Sequence, residues 1–196
     1  MSRIRLVSFD LDHTLIDFEP LALSALQAKA DYLRDKAGFE TTPAALQASR
    51  DRFAATPEGQ HLPFLAQRRA GLAALLGPKL AHHVEPAMAR FAKVRFGPAP
   101  LMPGAEQILA LLARRYTLAA LSNGNTDPGD TPLAPHFARV FLEGATPWKK
   151  PDPRVFRALC AALEVSPRET VHVGDNLAAD VAGARAAGIT PVWFNP

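Results

Sequence analysis

Arg5-Leu6-Val7-Ser8-Phe9-Asp10-Leu11-Asp12-His13-Thr14 is the stretch on which the fold of this chain turns. It opens as a short, β-prone, mostly apolar run and stops at two carboxylates and a hydroxyl. Such a run reads as a buried strand, Arg5–Phe9, that delivers Asp10 and Asp12 to its carboxyl end.

Outward from it, the second half of the chain alternates. A helix is predicted over Ala105–Arg114, a strand over Tyr116–Leu121 and another over Arg139–Leu142. A helix at Pro153–Leu163, a strand at Thr170–Val173, a helix at Leu177–Ala187 and a last strand at Thr190–Phe194 follow. Strand–helix alternation implies a parallel sheet with helices on both faces, and Arg5–Phe9 joins that sheet most economically. From about Pro20 to Phe96 the period changes, with apolar residues recurring every three or four positions, as at Leu21, Leu26 and Leu33 or Phe64, Leu65, Leu72 and Leu75. Breaks at Gly38, Thr41–Pro43, Thr56–Gly59 and Gly77–Pro78 divide this block into about four helices. Gly97-Pro98-Ala99-Pro100, with Pro103-Gly104 beyond, reads as a linker. The expectation is an α/β sheet domain, residues 1–17 and 99–196, carrying an all-helical insertion, residues 18–98. No internal repeat or low-complexity tract is present.

The bulk numbers agree with a folded enzyme-sized chain. Of 196 residues, 48% are hydrophobic and 21% charged, which excludes a disordered or fibrous protein. The single cysteine, Cys160, lies in an apolar stretch, reads as a core side chain and fits a reducing compartment. The net charge of +3 comes from scattered basic residues without interleaved aromatics, so no nucleic-acid partner is expected, whereas a small anionic substrate suits it. No signal peptide or apolar run of membrane length occurs, and a cytoplasmic protein without membrane contact is expected.

In open parallel sheets, sites form beyond the carboxyl ends of the strands. Those ends carry Asp10-Leu11-Asp12-His13-Thr14, then Ser122-Asn123-Gly124-Asn125, and finally Gly174-Asp175-Asn176 with Asp180 five residues past Asp175. Lys149-Lys150-Pro151-Asp152-Pro153 precedes a helix on the same edge. Singly, each reads as a turn former, a helix cap or a surface lysine. Jointly, clustered carboxylates would repel one another unless a cation intervened. Hard oxygen ligands favour Mg²⁺ for that cation.

These segments, in this order, resemble the motifs of the haloacid dehalogenase-like hydrolase superfamily. Phe9-Asp10-Leu11-Asp12-His13-Thr14-Leu15 is similar to its Asp-x-Asp-x-Thr motif and Ser122-Asn123 to its second. Lys150-Pro151-Asp152-Pro153 with Val155-Phe156 is similar to its lysine motif, and Val173-Gly174-Asp175 through Asp180-Val181, then Ala184 and Ala187-Gly188-Ile189, to its fourth. The helical insertion resembles the family's type-1 cap. The resemblance implies a Rossmann-like core, a closing cap that lines the leaving-group pocket, and a Mg²⁺-dependent phosphatase acting on a small phosphorylated metabolite.

By that resemblance, Asp10 is the nucleophile that becomes an aspartyl-phosphate. Asp10, Asp175 and the Asp12 backbone carbonyl hold the metal, and Asp12 is general acid and base. Ser122, the amides around Asn123, and Lys150 bind the phosphoryl group, with Asp180 supporting the metal shell or orienting Lys150. Lys149 is the adjacent competitor, but the motif falls on Lys150. An acidic residue at position 12 separates phosphatases from the family's metal-free dehalogenases, which lack one there. A phosphotransferase or mutase would keep every motif, while a receiver-like signalling domain would need neither Asp12 nor a cap. Leu121–Asn125 and Val171–Asp175 also resemble bacterial capped phosphatases of flavin-pathway phosphates. His13 reads as a turn or packing residue, and His82 and His83 as surface histidines. A monomer or homodimer is expected.

Overall fold

The computed structural model describes residues 3–195. The chain divides into two compact units, Met1–Phe18 with Pro98–Pro196, and Glu19–Gly97.

The first unit is a five-stranded parallel, Rossmann-like sheet. Its strands are β1 (Leu6–Phe9), β2 (Thr117–Leu121), β3 (Arg139–Phe141), β4 (Thr170–Gly174) and β5 (Thr190–Trp193), in the order β3-β2-β1-β4-β5. All four residues of β1 are buried, as its apolar composition requires of a central strand. Side chains alternate between two cores. Leu6, Ala119 and Leu121 pack with the helix Pro153–Ala162 and with Ala184 and Ala187 on one face. Val7, Phe9, Leu118 and Ala120 pack with Ala105 and Leu109 of the helix Ala105–Leu112 on the other. Helices therefore cover both faces. The predicted strands and helices are all present, with ends one or two residues shorter, save β4, which runs one residue further, to Gly174. The other exception is Leu177–Ala187, which is a π-helical turn, Leu177–Ala182, continued by an α-helix, Gly183–Ala187.

The two connections to the helical unit are tied together within the sheet unit. Ile16 bridges Leu101, the Asp17 amide donates to the Pro100 carbonyl (2.9 Å), and the Met102 amide to that of Leu15 (2.9 Å). An inserted unit leaving and returning through paired backbone does not disturb the register of β1.

The second unit has four α-helices: α1 (Phe18–Ala37), α2 (Pro43–Ala54), α3 (Phe64–Leu76) and α4 (Val84–Arg95). Thr42 caps α2 by accepting from the Ala45 amide (3.1 Å), and Pro43 supplies the preset φ of a first helical residue. Ala25, Leu26, Leu33, Leu46, Leu72, Met88 and Phe91 form its core. Gly71 lets α2 and α3 touch backbone to backbone, where a Cβ would strike the Ser49 carbonyl, and the Ser49 hydroxyl donates to the Gly71 carbonyl (2.6 Å). Cys160, back in the sheet unit, is buried, and burial pushes its thiol up, as a core residue requires. No helix among the described residues is long and apolar enough to cross a membrane.

Lys29 of α1 is the discordant core residue, 1% exposed, with its Nζ 5.2 Å from the Phe91 ring centre. Burial, and then the charge of Arg68, lower its amine to about 7. Between pH 7 and 10.5 the unfolded chain then binds more protons than the folded one at this site, so stability gained from Lys29 titration rises with pH across that window. Lys29→Met should be more stable than wild type at pH 6, by about 1–3 kcal/mol, with the gap closing towards pH 10. Urea unfolding at both pH values checks this, and a gap that does not change with pH would contradict it.

Candidate active site

The order β3-β2-β1-β4-β5 makes β1 the switch point at which successive connections diverge to opposite sides of the sheet, the place where such sheets bind ligands. Asp10 follows β1 there, its amide donating to the Val173 carbonyl (2.8 Å), so the β1–β4 pairing extends to the residue that bears the carboxylate. The loop after it is tight. The amides of Leu15 and Ile16 both donate to the Leu11 carbonyl (2.9 Å each), and His13 takes φ 63°. His13 is exposed and packs edge-on against Phe18 at 5.6 Å, a turn residue and not a ligand.

Asp12 is half-buried, and its carboxylate lies over the Gly124 Cα, where any Cβ would collide with it. Asp12 and the loop after β2 thus face each other across a gap that only glycine permits. In that loop the buried Ser122 hydroxyl accepts from the Gly124 amide (3.1 Å). The Asn123 side chain is committed elsewhere: its Nδ2 donates to the Lys150 carbonyl and its Oδ1 accepts from the Lys150 amide, both at 2.8 Å. Asn123 therefore clamps the lysine loop with its side chain.

Lys150 is buried, and its Nζ lies 2.7 Å from Asp10 Oδ1 and 2.6 Å from Asp180 Oδ1. The neighbouring Lys149 is exposed. Asp180 projects from the π-helical turn, which Asn176 caps by accepting from the amides of Ala178 (3.0 Å) and Ala179 (2.8 Å). Gly174 makes this possible, because a Cβ there would overlap the Asp180 carboxylate. Asp175, between them, is half-buried and accepts from the Thr14 hydroxyl at 3.4 Å.

Sequence reading missed two members of the site, Ser8 and His172. Paired in register across β1 and β4, they are both fully buried. His172 Nε2 lies 3.1 Å from Asp180 Oδ1, and its Nδ1 2.9 Å from the Ser8 hydroxyl. An ionised carboxylate only accepts, so Nε2 carries the proton and Nδ1 accepts from Ser8. Burial lowers the imidazole pKa and keeps the ring neutral. The signal was available: a hydroxyl and an imidazole inside otherwise apolar strands need partners.

The electrostatics divide the two carboxylates that share Lys150. Burial pushes the Asp10 carboxyl up to about 6 against the lowering charge of Lys150, with Asp180 adding to the rise. Burial would raise Asp180 as well, but the His172 hydrogen bond and the Lys150 charge hold it at about 2. Asp180 is thus a permanent counter-charge. Asp10, Asp175 and Asp180 also bring carboxylate oxygens within 4.8 Å of one another. Both oxygens of Asp180 are engaged, Oδ1 by Lys150 and His172 and Oδ2 by the Asn176 amide (3.0 Å). Asp10 and Asp175 are the carboxylates suited to a hard divalent cation. The Asp12 carboxylate is not in this trio.

Rossmann-like enzymes do their chemistry at such a switch point, and the chain falls in that class. A model of the haloacid dehalogenase-like hydrolases matches residues 4–188, and the chain belongs to that family. It is 31% identical over its whole length to the 5-amino-6-(5-phospho-D-ribitylamino)uracil phosphatase YigB of Escherichia coli (strain K12), of which 85% is covered. A shorter match, 49% of this chain and 41% of the relative, is 45% identical to a phosphoserine phosphatase of Thermus thermophilus. Among solved structures, a 2-haloacid dehalogenase from Pseudomonas syringae aligns with a TM-score of 0.83 at 30% identity, covering 98% of this chain and 87% of that one.

His172→Leu removes the donor to Asp180 and the acceptor for Ser8 while keeping the site apolar. It should cost about 1–3 kcal/mol in urea unfolding, more than Ser8→Ala, because it takes a partner from both Ser8 and Asp180, whereas Ser8→Ala leaves the His172–Asp180 bond in place. A His172→Leu protein as stable as wild type would contradict this account of the network.

Proposed function

We propose that the protein is a Mg²⁺-dependent phosphatase of small phosphomonoesters that works through an aspartyl-phosphate on Asp10. The observation that carries this reading is the buried Lys150 ammonium at 2.7 Å from Asp10, which keeps a desolvated carboxylate ionised and puts positive charge where phosphoryl charge would develop. In this reading residues 1–17 and 99–196 are the catalytic core and residues 18–98 the cap.

Asp10 supplies the attacking oxygen; its bond to phosphorus forms as the ester P–O bond breaks. Asp12 gives its proton to the departing alkoxide, then takes one from the water that attacks phosphorus and releases inorganic phosphate from Asp10. The Ser122 hydroxyl and the amides around Asn123 orient the phosphoryl oxygens. Lys150, held by Asp180 and by the Asn123 clamp, neutralises them. Asp180 acts through Lys150 and not on substrate. Mg²⁺ held by Asp10, Asp175 and the Asp12 carbonyl would screen nucleophile from phosphate and polarise the transferred group. The names of relatives support small phosphorylated substrates, and a phosphorylated ribitylaminouracil, named for the relative matched along the whole chain, is the first to test.

The likeness to a 2-haloacid dehalogenase favours a second reading, attack of Asp10 on a carbon–halogen bond. Asp12 argues against it, since a halide leaves without a proton. The two readings separate cleanly in one assay pair. Phosphate release from p-nitrophenyl phosphate should vanish in EDTA and return with Mg²⁺. Chloride release from 2-chloropropionate that persists in EDTA, with no phosphate release, would overturn the phosphatase.

Asp12→Asn should lower turnover of an alkyl phosphate by about a hundredfold or more, and that of p-nitrophenyl phosphate much less, because p-nitrophenolate departs with little protonation. Equal losses on both substrates would remove Asp12 from the acid–base role.

A further inference from the structure

The helical unit holds a concentration of charge of its own. Each of its four α-helices contributes one cation: Lys29 from α1, Arg50 from α2, Arg68 from α3 and Arg95 from α4. Lys29, Arg68 and Arg95 are at most 4% exposed. Two aromatic rings gather three of them, while Arg95 lies over Phe96 at 5.4 Å. Arg68 lies 4.9 Å from the centre of Phe64 and 4.7 Å from that of Phe91; Arg50 shares the Phe64 ring at 4.4 Å, and Lys29 shares that of Phe91.

Around Arg68, charge is poorly matched among the described residues. The carboxylate beside the group, Asp51, is half exposed and taken up by Arg50 Nη1 (3.2 Å) and by Gln47 (3.1 Å). Arg68 Nη2 donates to Gln47 Oε1 at 3.0 Å, but its Nε and Nη1, and the Nε of Arg50, are buried without a hydrogen-bond partner among the described residues. Buried guanidinium donors left unmatched beside like charges are costly, and packing alone gives no reason to gather them. Burial, Arg50 and Arg95 lower the Arg68 pKa to about 10 despite Asp51, a sign of the same crowding.

We propose that Lys29, Arg50 and Arg68 form a binding site for a carboxylate or phosphate group, with Arg68 as its central donor. Two open guanidinium donors, Nε and Nη1, each offer one charge-assisted hydrogen bond to an oxyanion. The phenyl faces hold the cations while contributing no competing acceptor. The anion is a small oxyanion bound by the helical unit itself, and its binding does not depend on the phosphatase reading.

The experiment reads binding apart from turnover. Thermal unfolding of the whole protein is followed in sodium sulfate against sodium chloride at equal ionic strength, for wild type, Arg68→Met, Arg68→Lys and Lys150→Met. Sulfate should raise the wild-type Tm beyond the chloride control. Lys150→Met, which alters only the strand-end site, should keep that response; Arg68→Met should lose most of it, and Arg68→Lys should keep part. A response lost in Lys150→Met and kept in Arg68→Met would overturn the proposal, as would no response in wild type. Should Arg68→Met fail to fold, Arg68→Lys and Arg50→Gln carry the same comparison, and full responses in both would also overturn it.

Discussion

Lys150 enters the carboxyl edge of the sheet with its side chain 2% exposed and comes to rest between two carboxylates, 2.7 Å from Asp10 and 2.6 Å from Asp180. Without that ammonium, the buried carboxylates of Asp10 and Asp180 would share a desolvated site with no positive charge between them. Much of the surrounding backbone serves to hold it there. The Asn123 side chain brackets the Lys150 peptide from the loop after β2. Gly183 admits the Pro151 backbone at a separation that a Cβ would forbid, and Asp180 is itself fixed by His172 and the Asn176 amide.

The polar chain Ser8–His172–Asp180–Lys150–Asp10 runs from inside the sheet to its reactive edge. Its first two members are register partners on adjacent parallel strands, so the sheet sets their spacing. A neutral imidazole with Nε2–H towards Asp180 keeps that carboxylate an acceptor, and the charge on Asp180 in turn fixes the lysine. The placement of Asp10 thus rests on hydrogen bonds made where water does not compete.

The sheet was legible because β1 and β2 are apolar runs that stop at polar residues, and because Pro153 and Asp152 announce the helix between β3 and β4. The order of strand ends then placed Asp10, Ser122, Lys150 and Asp175 on one edge without any three-dimensional information. What the residues concealed were relations that depend on register and close approach. Nothing local shows that Ser8 faces His172, that the Asn123 side chain turns to the Lys150 backbone, or that Gly174 exists to admit Asp180. The helical period likewise marked α1 to α4 while giving no hint that Lys29 and Arg68 point inward. A lysine or arginine on an amphipathic helix ordinarily faces water, and only packing reveals the exceptions.

The central claim is that Asp10 carries the phosphoryl group, and the covalent intermediate tests it most directly. The protein is mixed with p-nitrophenyl phosphate and Mg²⁺, quenched in acid within a turnover, digested and analysed by mass spectrometry. The account predicts an added phosphoryl mass on the peptide containing Asp10, absent from Asp10→Asn treated in the same way. A phosphoryl group on any other residue, or an Asp10→Asn protein that turns over at the wild-type rate, would contradict it.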